Sequence, residues 1–334
     1  SAASDVYKRQ VLMSIEIDVF KLIDALGDRI QNNSPLDKNL KERIECATDI
    51  VYDESDPATC VYDTYHIPRE EGKYPVMLYI HGGGFVAGDK KFRRGVSKWY
   101  AQTGLYVFNV NYGLCPAYMY PQPLVHIVKA FNRICEKAEE LNLDLNKFIV
   151  AGDSAGAYYA AMLIAACNYK RVQKKLGVTP LSWVKAAIFN CGLYDIDSIM
   201  KCKMMFDLNA RIFRRFTGSD DVCFENYVHK KLCMPASYVN SAYPPCFIVY
   251  SKKDFFVGGQ AESFIDKLAE KGVYFESYFS DVVFSNHCFP LNWKGKYAVT
   301  ANSMTENFVK RFLEGKLPVH SKKVEKPKEV EDVD

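Results

Sequence analysis

The sequence predicts an α/β protein with a mostly parallel central sheet that is covered by helices on both faces. Continuously apolar segments such as "YPVMLYI" and "PCFIVYS" are typical of strands buried on both sides. These segments alternate along the chain with helical patterns, which indicates crossover connections between parallel strands. The composition, 49% hydrophobic over 334 residues, is ample for a large core.

The predicted elements begin with a leader and a helical segment. We expect residues 1–12 to be non-native or disordered, and apolar residues at helical spacing predict a helical segment within 13–50. The main domain is predicted over residues 51–315. Its predicted strands are residues 60–67, 74–80, 105–112, 147–152, 184–190, 245–251 and 273–279. Its predicted helices are residues 123–140, 155–170, 259–271 and 297–313.

Two further segments depart from this alternation. Residues 194–240 carry helical patterns without a buried strand, so we interpret them as an insertion. Residues 316–334 are rich in charge and poor in apolar side chains, and we expect this tail to be disordered.

Charge and cysteine usage exclude several classes of partner. The net charge is only +3, which gives no electrostatic reason to expect nucleic acid. The eleven cysteines include no CxxC pair or Cys/His group at zinc spacing, so we expect reduced thiols and no metal site. No nucleotide fingerprint is visible, and no cofactor is expected. The absence of an apolar signal region or spanning segment predicts a soluble, cytoplasmic protein without stable membrane insertion.

The segment "VAGDSAGAYYA" contains a G-x-S-x-G motif between a predicted strand and a predicted helix. Small flanking residues permit a tight strand-to-helix turn that exposes the serine hydroxyl above the sheet. The helix that follows directs its positive N-terminal dipole toward that serine. The motif therefore predicts Ser154 as a catalytic nucleophile.

The segment "YIHGGGFVAGD" places three consecutive glycines directly after another predicted strand. Attack of a serine on an acyl carbon creates an oxyanion, which backbone N–H groups stabilise when no side chain blocks their approach. We expect these donors to be the N–H groups of Gly83 and Gly84, together with that of Ala155 after the nucleophile.

At these two motifs the sequence resembles the hormone-sensitive-lipase-like family of α/β-hydrolases, over about residues 74–313. The resemblance implies an α/β-hydrolase fold with a helical cap. Residues 13–50 and 194–240 match the positions of the cap segments in that family. The family often pairs subunits through a sheet edge, so a homodimer is an expectation.

A serine nucleophile requires a histidine as base and a carboxylate that orients this histidine. Five histidines lie in the glycine loop, on early or preceding elements, in the insertion or in the tail, which leaves His287 in a loop after the last strand as the predicted base. Asp254 follows the preceding strand and is the predicted acid, as in the family's equivalent segment. Asp281, close to His287 in sequence, and Asp195 remain alternatives.

The resulting hypothesis is a serine esterase that uses Ser154, His287 and Asp254 to cleave small, short-chain acyl esters, including acetyl esters, without a cofactor. The same triad also supports amide or peptide hydrolysis and acyl transfer. A third possibility is a non-catalytic protein that binds a ligand on the hydrolase scaffold.

Overall fold

The computed structural model describes residues 15–31, 36–201, 208–218, 224–282 and 285–318. The expectations for residues 1–12 and 319–334 lie outside this range. The described residues form an eight-stranded sheet. Its strands are β1 (Glu45–Val51), β2 (Val61–His66), β3 (Tyr74–Ile80), β4 (Tyr106–Val110), β5 (Leu143–Asp153), β6 (Ala186–Asn190), β7 (Cys246–Ser251) and β8 (Phe275–Ser280).

The strands lie in the order β1-β2-β4-β3-β5-β6-β7-β8. β2 is antiparallel to both β1 and β4, and every other neighbouring pair is parallel. The prediction of a mostly parallel sheet is therefore confirmed. The central strands are buried along almost their whole length, which explains their continuous apolar sequences.

Helices connect and cover these strands. They are α1 (Ile15–Gln31), α2 (Lys38–Lys41), α3 (Arg94–Ala101), α4 (Gln122–Glu136), α5 (Ala155–Asn168), α6 (Lys170–Leu176), α7 (Ile196–Lys201), α8 (Leu208–Thr217), α9 (Gln260–Glu270) and α10 (Lys296–Leu313). Short 3₁₀ turns within the described residues accompany them: Lys90–Arg93, Phe224–Asn226, Pro235–Tyr238 and Phe289–Asn292. Helix α5 follows the central strand β5 and is buried on all sides from Ala155 to Cys167, as its uniformly apolar sequence requires.

Strand β1 was missed by the sequence prediction, which assigned its residues largely to the helical segment 13–50. Its side chains are exposed or half-buried along their whole length, because β1 is an edge strand, and an exposed edge lacks the apolar pattern of a buried strand. The helical part of this segment consists of α1 and the short α2.

Helix α1 buries only some of the apolar residues that recur along it at helical spacing. Phe20 and Asp24 are buried against the body of the protein. Leu22 and Leu26, on the adjoining face, are 61% and 59% exposed. One polar side chain therefore lies on the inner face of α1, where it contributes to the cavity described below.

Candidate active site

Ser154 occupies the sharp turn between the end of β5 and the start of α5. Its backbone has φ 52° and ψ −120°, a combination that ordinary side chains avoid and that nucleophile-bearing turns of this type adopt. A Cβ atom at Gly156 would lie 2.0 Å from the carbonyl oxygen of Ile80, and one at Gly152 would lie 2.5 Å from the Gly156 carbonyl carbon. The two motif glycines are therefore required by the close approach of the turn to β3 and to itself.

Three of the predicted site residues come together in one hydrogen-bonded line. Ser154 Oγ lies 2.7 Å from Nε2 of His287. Nδ1 of the same ring lies 2.9 and 2.8 Å from the two carboxylate oxygens of Asp254. With the ring proton on Nδ1, the ring donates to Asp254, and Nε2 accepts from the serine hydroxyl. This arrangement can remove a proton from Ser154.

Asp254 is held as a carboxylate in the loop that follows β7. Its side chain accepts hydrogen bonds from the backbone N–H groups of Phe256 and Val257 at 2.9 and 3.0 Å. Burial acts to raise the pKa of Asp254, but the His287 ring and these N–H donors hold that pKa below its usual range. Asp254 therefore stays ionised at neutral pH.

The two alternative acids lie elsewhere. Asp281 is exposed at the end of β8. Asp195 uses its carboxylate to accept the backbone N–H of Ser198 at 3.2 Å, at the start of α7. Of the three carboxylates, Asp254 is the one that contacts His287.

The glycine loop lies beside Ser154 with no room for side chains. A Cβ atom at Gly83 would lie 2.0 Å from the carbonyl oxygen of Ala87, and one at Gly84 would lie 2.5 Å from the ring of Phe20. Their φ angles of 135° and 59° also favour glycine. Within the described part of the chain, no hydrogen bond takes up the N–H of Gly83, Gly84 or Ala155. These groups are thus able to receive an oxyanion.

His81 stabilises this loop from within the core. Its Nδ1 lies 2.8 Å from the carbonyl oxygen of Gly82, and its ring stacks on Tyr112 at 4.5 Å between centroids. The Tyr112 hydroxyl donates to the His81 carbonyl oxygen at 2.7 Å. Burial lowers the pKa of His81 to about 4, so the ring is neutral at physiological pH and acts as a structural group.

Asp153 and Arg93 form a buried ion pair beside Ser154, and the sequence analysis did not identify this pair. Arg93 Nε and Nη2 donate to the two oxygens of Asp153 at 2.8 and 2.7 Å. The Tyr79 hydroxyl and the Gly82 N–H donate to the same carboxylate at 2.9 and 3.2 Å. Burial acts to raise the pKa of Asp153, but Arg93 keeps that pKa below its usual range. A fully buried carboxylate needs a cationic partner, but the sequence does not indicate which basic residue supplies it.

A pocket of about 400 Å³ opens above Ser154. Helix α1, the segment after β7 and the loop that carries His287 supply its apolar wall, which includes Phe20, Ile23, Leu26, Phe255, Phe256, Phe289 and Leu291. The Phe256 ring lies 4.9 Å from the His287 ring and 5.8 Å from that of Phe20, between centroids. Aromatic contacts thus connect α1 to the loop that carries the base.

Asp24 is the acidic side chain that α1 contributes to this pocket. Burial raises its pKa to about 6, although Arg93 and the backbone N–H of Gly88 partly oppose that shift. The insertion makes a different contribution. Phe213 and Phe216 of α8 pack against Phe85, behind the glycine loop, and are not among the residues that line the pocket.

Two groups of possible metal ligands lie among the described residues, although their sequence spacing did not indicate either. One consists of Cys191, His287 and Cys288, and the other of Asp56, Cys60 and His126. In each group one ligand atom from every residue lies within 4.8 Å of the others. Each group joins two residues that are close in sequence to a third that is distant, which a search for local zinc spacing does not detect.

None of the helices in the described ranges has the length and apolar character needed to cross a bilayer.

Comparison with known proteins gives a consistent set of relatives. The BD-FAE family matches residues 62–268. Esterase LipI of Mycobacterium tuberculosis is 36% identical over 95 residues, which cover 28% of this chain and 30% of LipI. An acetyl esterase of Salmonella schwarzengrund is 24% identical over 196 residues, covering 54% of this chain and 55% of the relative. The chain thus spans about half, or less, of the length of these relatives.

A solved structure extends the likeness to the whole fold. Esterase B from Lactobacillus rhamnosis superposes with a TM-score of 0.79 at 17% sequence identity, over 92% of this chain and 97% of that one. At this identity the likeness concerns the fold. Together with the sheet topology, it confirms the α/β-hydrolase fold.

Proposed function

The chain belongs to the BD-FAE family and, with it, to the hormone-sensitive-lipase-like α/β-hydrolases, and we propose that it is a serine carboxylic-ester hydrolase acting on small, short-chain acyl esters. The observation that carries the proposal is the continuous hydrogen-bonded line from Asp254 through His287 to Ser154 at the wall of a pocket. Such a line is the chemical requirement for turning a serine hydroxyl into a nucleophile.

Acylation begins with proton transfer. As Ser154 Oγ attacks the ester carbon, its proton passes over the 2.7 Å contact to Nε2 of His287. The imidazolium that forms is stabilised by Asp254, which also keeps the ring in the required orientation. His287 then gives the proton to the alcohol that leaves, and the acyl group remains on Ser154.

The oxyanion of each tetrahedral intermediate is received by the N–H groups of Gly83, Gly84 and Ala155. Because Ala155 is the first residue of α5, the helix dipole adds to the stabilisation. One such donor is typically worth about 2.7–4 kcal/mol in the transition state. Water, deprotonated by His287, subsequently releases the acyl group by the same path in reverse.

The size of the pocket supports small substrates. Its volume of about 400 Å³ is at the lower end of the range for small-molecule sites. The α1 side chains border the space above Ser154, and their apolar character suits an uncharged acyl group. The similarity to an acetyl esterase supports the same substrate class.

The test is hydrolysis of p-nitrophenyl esters from acetate to decanoate by the purified full chain, beside Ser154→Ala and His287→Ala. We expect rates that are highest for short chains and near background in both variants. A matched control is His229→Ala, which removes a half-buried histidine that does not line the pocket. Circular dichroism of each variant establishes that the fold is retained.

Labelling with a serine-reactive fluorophosphonate gives a second readout. Modification of Ser154 with no turnover of any ester would transfer the proposal to amide or acyl-transfer chemistry, which matched ester and anilide substrates distinguish. Turnover that survives in Ser154→Ala would overturn the assignment of the nucleophile.

A further inference from the structure

Two cysteine thiols lie beside the histidine of the active site. Cys288 follows His287 directly, whereas Cys191 follows the end of β6 and comes close through the fold of the sheet. The two Sγ atoms and a ring nitrogen of His287 all lie within 4.8 Å of one another.

This set of ligands has a defined chemical preference. Thiolate and imidazole are the ligands of structural and catalytic Zn²⁺ sites, and Mg²⁺ and Ca²⁺ prefer oxygen. In a tetrahedral zinc site with bonds of 2.0–2.3 Å, the ligand atoms are roughly 3.4–3.8 Å apart. The ligand atoms, which lie within 4.8 Å of one another, therefore have to approach by up to about 1.4 Å to hold such an ion.

A metal ion could reach this group from the pocket and would be enclosed on its inner side. Cys288 and His287 line the pocket, so an ion can reach them from the solvent. Cys191 is only 1% exposed and forms the inner side of the group. An ion entering through the pocket would thus meet two ligands at the wall and a third behind them.

Occupation of this site conflicts with the arrangement of the triad. Nδ1 of His287 contacts Asp254, and Nε2 contacts Ser154. A metal ion can bind either nitrogen only by displacing one of these contacts. Binding therefore removes the base from the serine or releases it from the acid.

We propose that Cys191, Cys288 and His287 form an inhibitory binding site for a soft divalent cation, with Zn²⁺ as the ion of matching chemistry. Binding exchanges the two thiol protons for the cation and changes no oxidation state. The fourth position of a tetrahedral site would be left to water. Binding is independent of the proposed esterase function, and only the inhibitory effect rests on it.

The other group of possible metal ligands, Asp56, Cys60 and His126, provides a comparison within the same protein. Nδ1 of His126 accepts the Gly113 N–H at 3.1 Å, and Nε2 lies 3.0 Å from the amide of Gln122. This group contains one thiol, that of Cys60, instead of two. It is therefore the weaker candidate for a soft cation, and Cys60→Ala serves as the control variant.

The experiment titrates the metal-free, reduced full chain with Cd²⁺ and follows the thiolate-to-metal charge-transfer absorption. In parallel, the rate of ester hydrolysis is measured at increasing Zn²⁺ concentration. Mg²⁺, which prefers oxygen ligands, is the comparison. We expect Cd²⁺ absorption and EDTA-reversible inhibition by Zn²⁺ in the wild type and in Cys60→Ala. In Cys191→Ala and in Cys288→Ala, both effects should require at least about tenfold more metal. Loss of a residue that only supports a metal ligand already lowers metal affinity about tenfold or more, and these variants lose a ligand itself.

Each other outcome has a distinct meaning. Titrations that are unchanged in both Cys191→Ala and Cys288→Ala would overturn the site. Metal binding that leaves wild-type turnover unaffected would overturn its inhibitory role. If the metal-free enzyme hydrolyses no ester, the proposed function fails. The charge-transfer titration and its loss in the two variants would nevertheless establish the metal site, and their absence would overturn it.

Discussion

Arg93 and Asp153 form a buried, two-point ion pair beside the nucleophile, with Nε–Oδ1 and Nη2–Oδ2 distances of 2.8 and 2.7 Å. Asp153 is the residue before Ser154, and its carboxylate also receives the N–H of Gly82 in the glycine loop. One carboxylate thus connects the nucleophile turn to the loop that is expected to bind the oxyanion.

Replacing Arg93 by methionine should therefore destabilise the fold. The substitution leaves the Asp153 carboxylate buried without its cation, which typically costs about 3–5 kcal/mol. Urea denaturation measures this cost. The control is Arg94→Met, whose partner Asp28 is 38% exposed and whose loss is expected to cost about 1 kcal/mol or less. Recovery of stability in Arg93→Met combined with Asp153→Asn would support the explanation, and equal costs for the two arginines would contradict it.

Replacing Asp254 by asparagine should reduce kcat by about 10⁴-fold with little change in the fold, because the amide no longer orients His287 or stabilises its charged form. Steady-state kinetics on a short p-nitrophenyl ester measure the effect. Asp281→Asn and Asp195→Asn should keep near wild-type rates, since neither carboxylate contacts His287. A large loss in Asp281→Asn with a small one in Asp254→Asn would reverse the assignment of the acid.

Asp24 should make stability depend on pH. Its carboxyl has an ordinary pKa of 3.8 when unfolded and a pKa of about 6 in the folded protein, so the folded state binds more protons between these values. Asp24 therefore makes folding less favourable as pH rises through this window. Asp24→Asn cannot ionise but keeps an oxygen for the Gly88 N–H. We expect its Tm to exceed that of the wild type by about 2–4 °C at pH 8, with a difference near zero at pH 4.

Thermal melts at pH 4, 6 and 8 test this dependence, with Asp281→Asn as an exposed carboxylate control. A Tm difference between Asp24→Asn and the wild type that does not change with pH would refute the role of Asp24 ionisation.

Phe20 should limit the length of the acyl chain. Its ring is buried above the site, in contact with Gly84 and 5.8 Å from the Phe256 ring. Phe20→Ala opens space for additional methylene groups, each worth about 1–3 kcal/mol of discrimination in a hydrophobic pocket. We expect the ratio of kcat/KM for the octanoate ester to kcat/KM for the acetate ester to rise about tenfold.

The control is Leu22→Ala, on the exposed face of the same helix, which should leave this ratio unchanged. An equal rise in both variants would indicate loosening of α1 instead.

The parts of the fold that sequence could predict are those with a local signal. The buried strands were predicted because their apolar runs are continuous, and the α/β class followed from their alternation with helices. Ser154, Asp254 and His287 each follow a predicted strand, and the ends of parallel strands meet at one edge of the sheet. That topology is why residues separated by 133 positions, such as Ser154 and His287, could be proposed as partners from sequence alone.

The parts that sequence could not predict depend on contacts between distant elements. Strand β1 has no apolar pattern because it lies at an edge. The inner face of α1 carries Asp24 beside Phe20, so the apolar spacing alone does not define the buried face. The pairing of Arg93 with Asp153, and that of Cys191 with Cys288, are set by how the loops converge, and neither has a characteristic spacing.

The segment that matches the BD-FAE family contains only part of the candidate site. Residues 62–268 include Ser154 and Asp254, but His287 and β8 follow this segment and α1 precedes it. A polypeptide trimmed to the matched segment would expose the flank of β7. It would keep Ser154 without its hydrogen-bond partner His287 and without the wall of the pocket that α1 supplies. Modules for domain fusion or fragment complementation should therefore extend from the start of α1 to the end of α10.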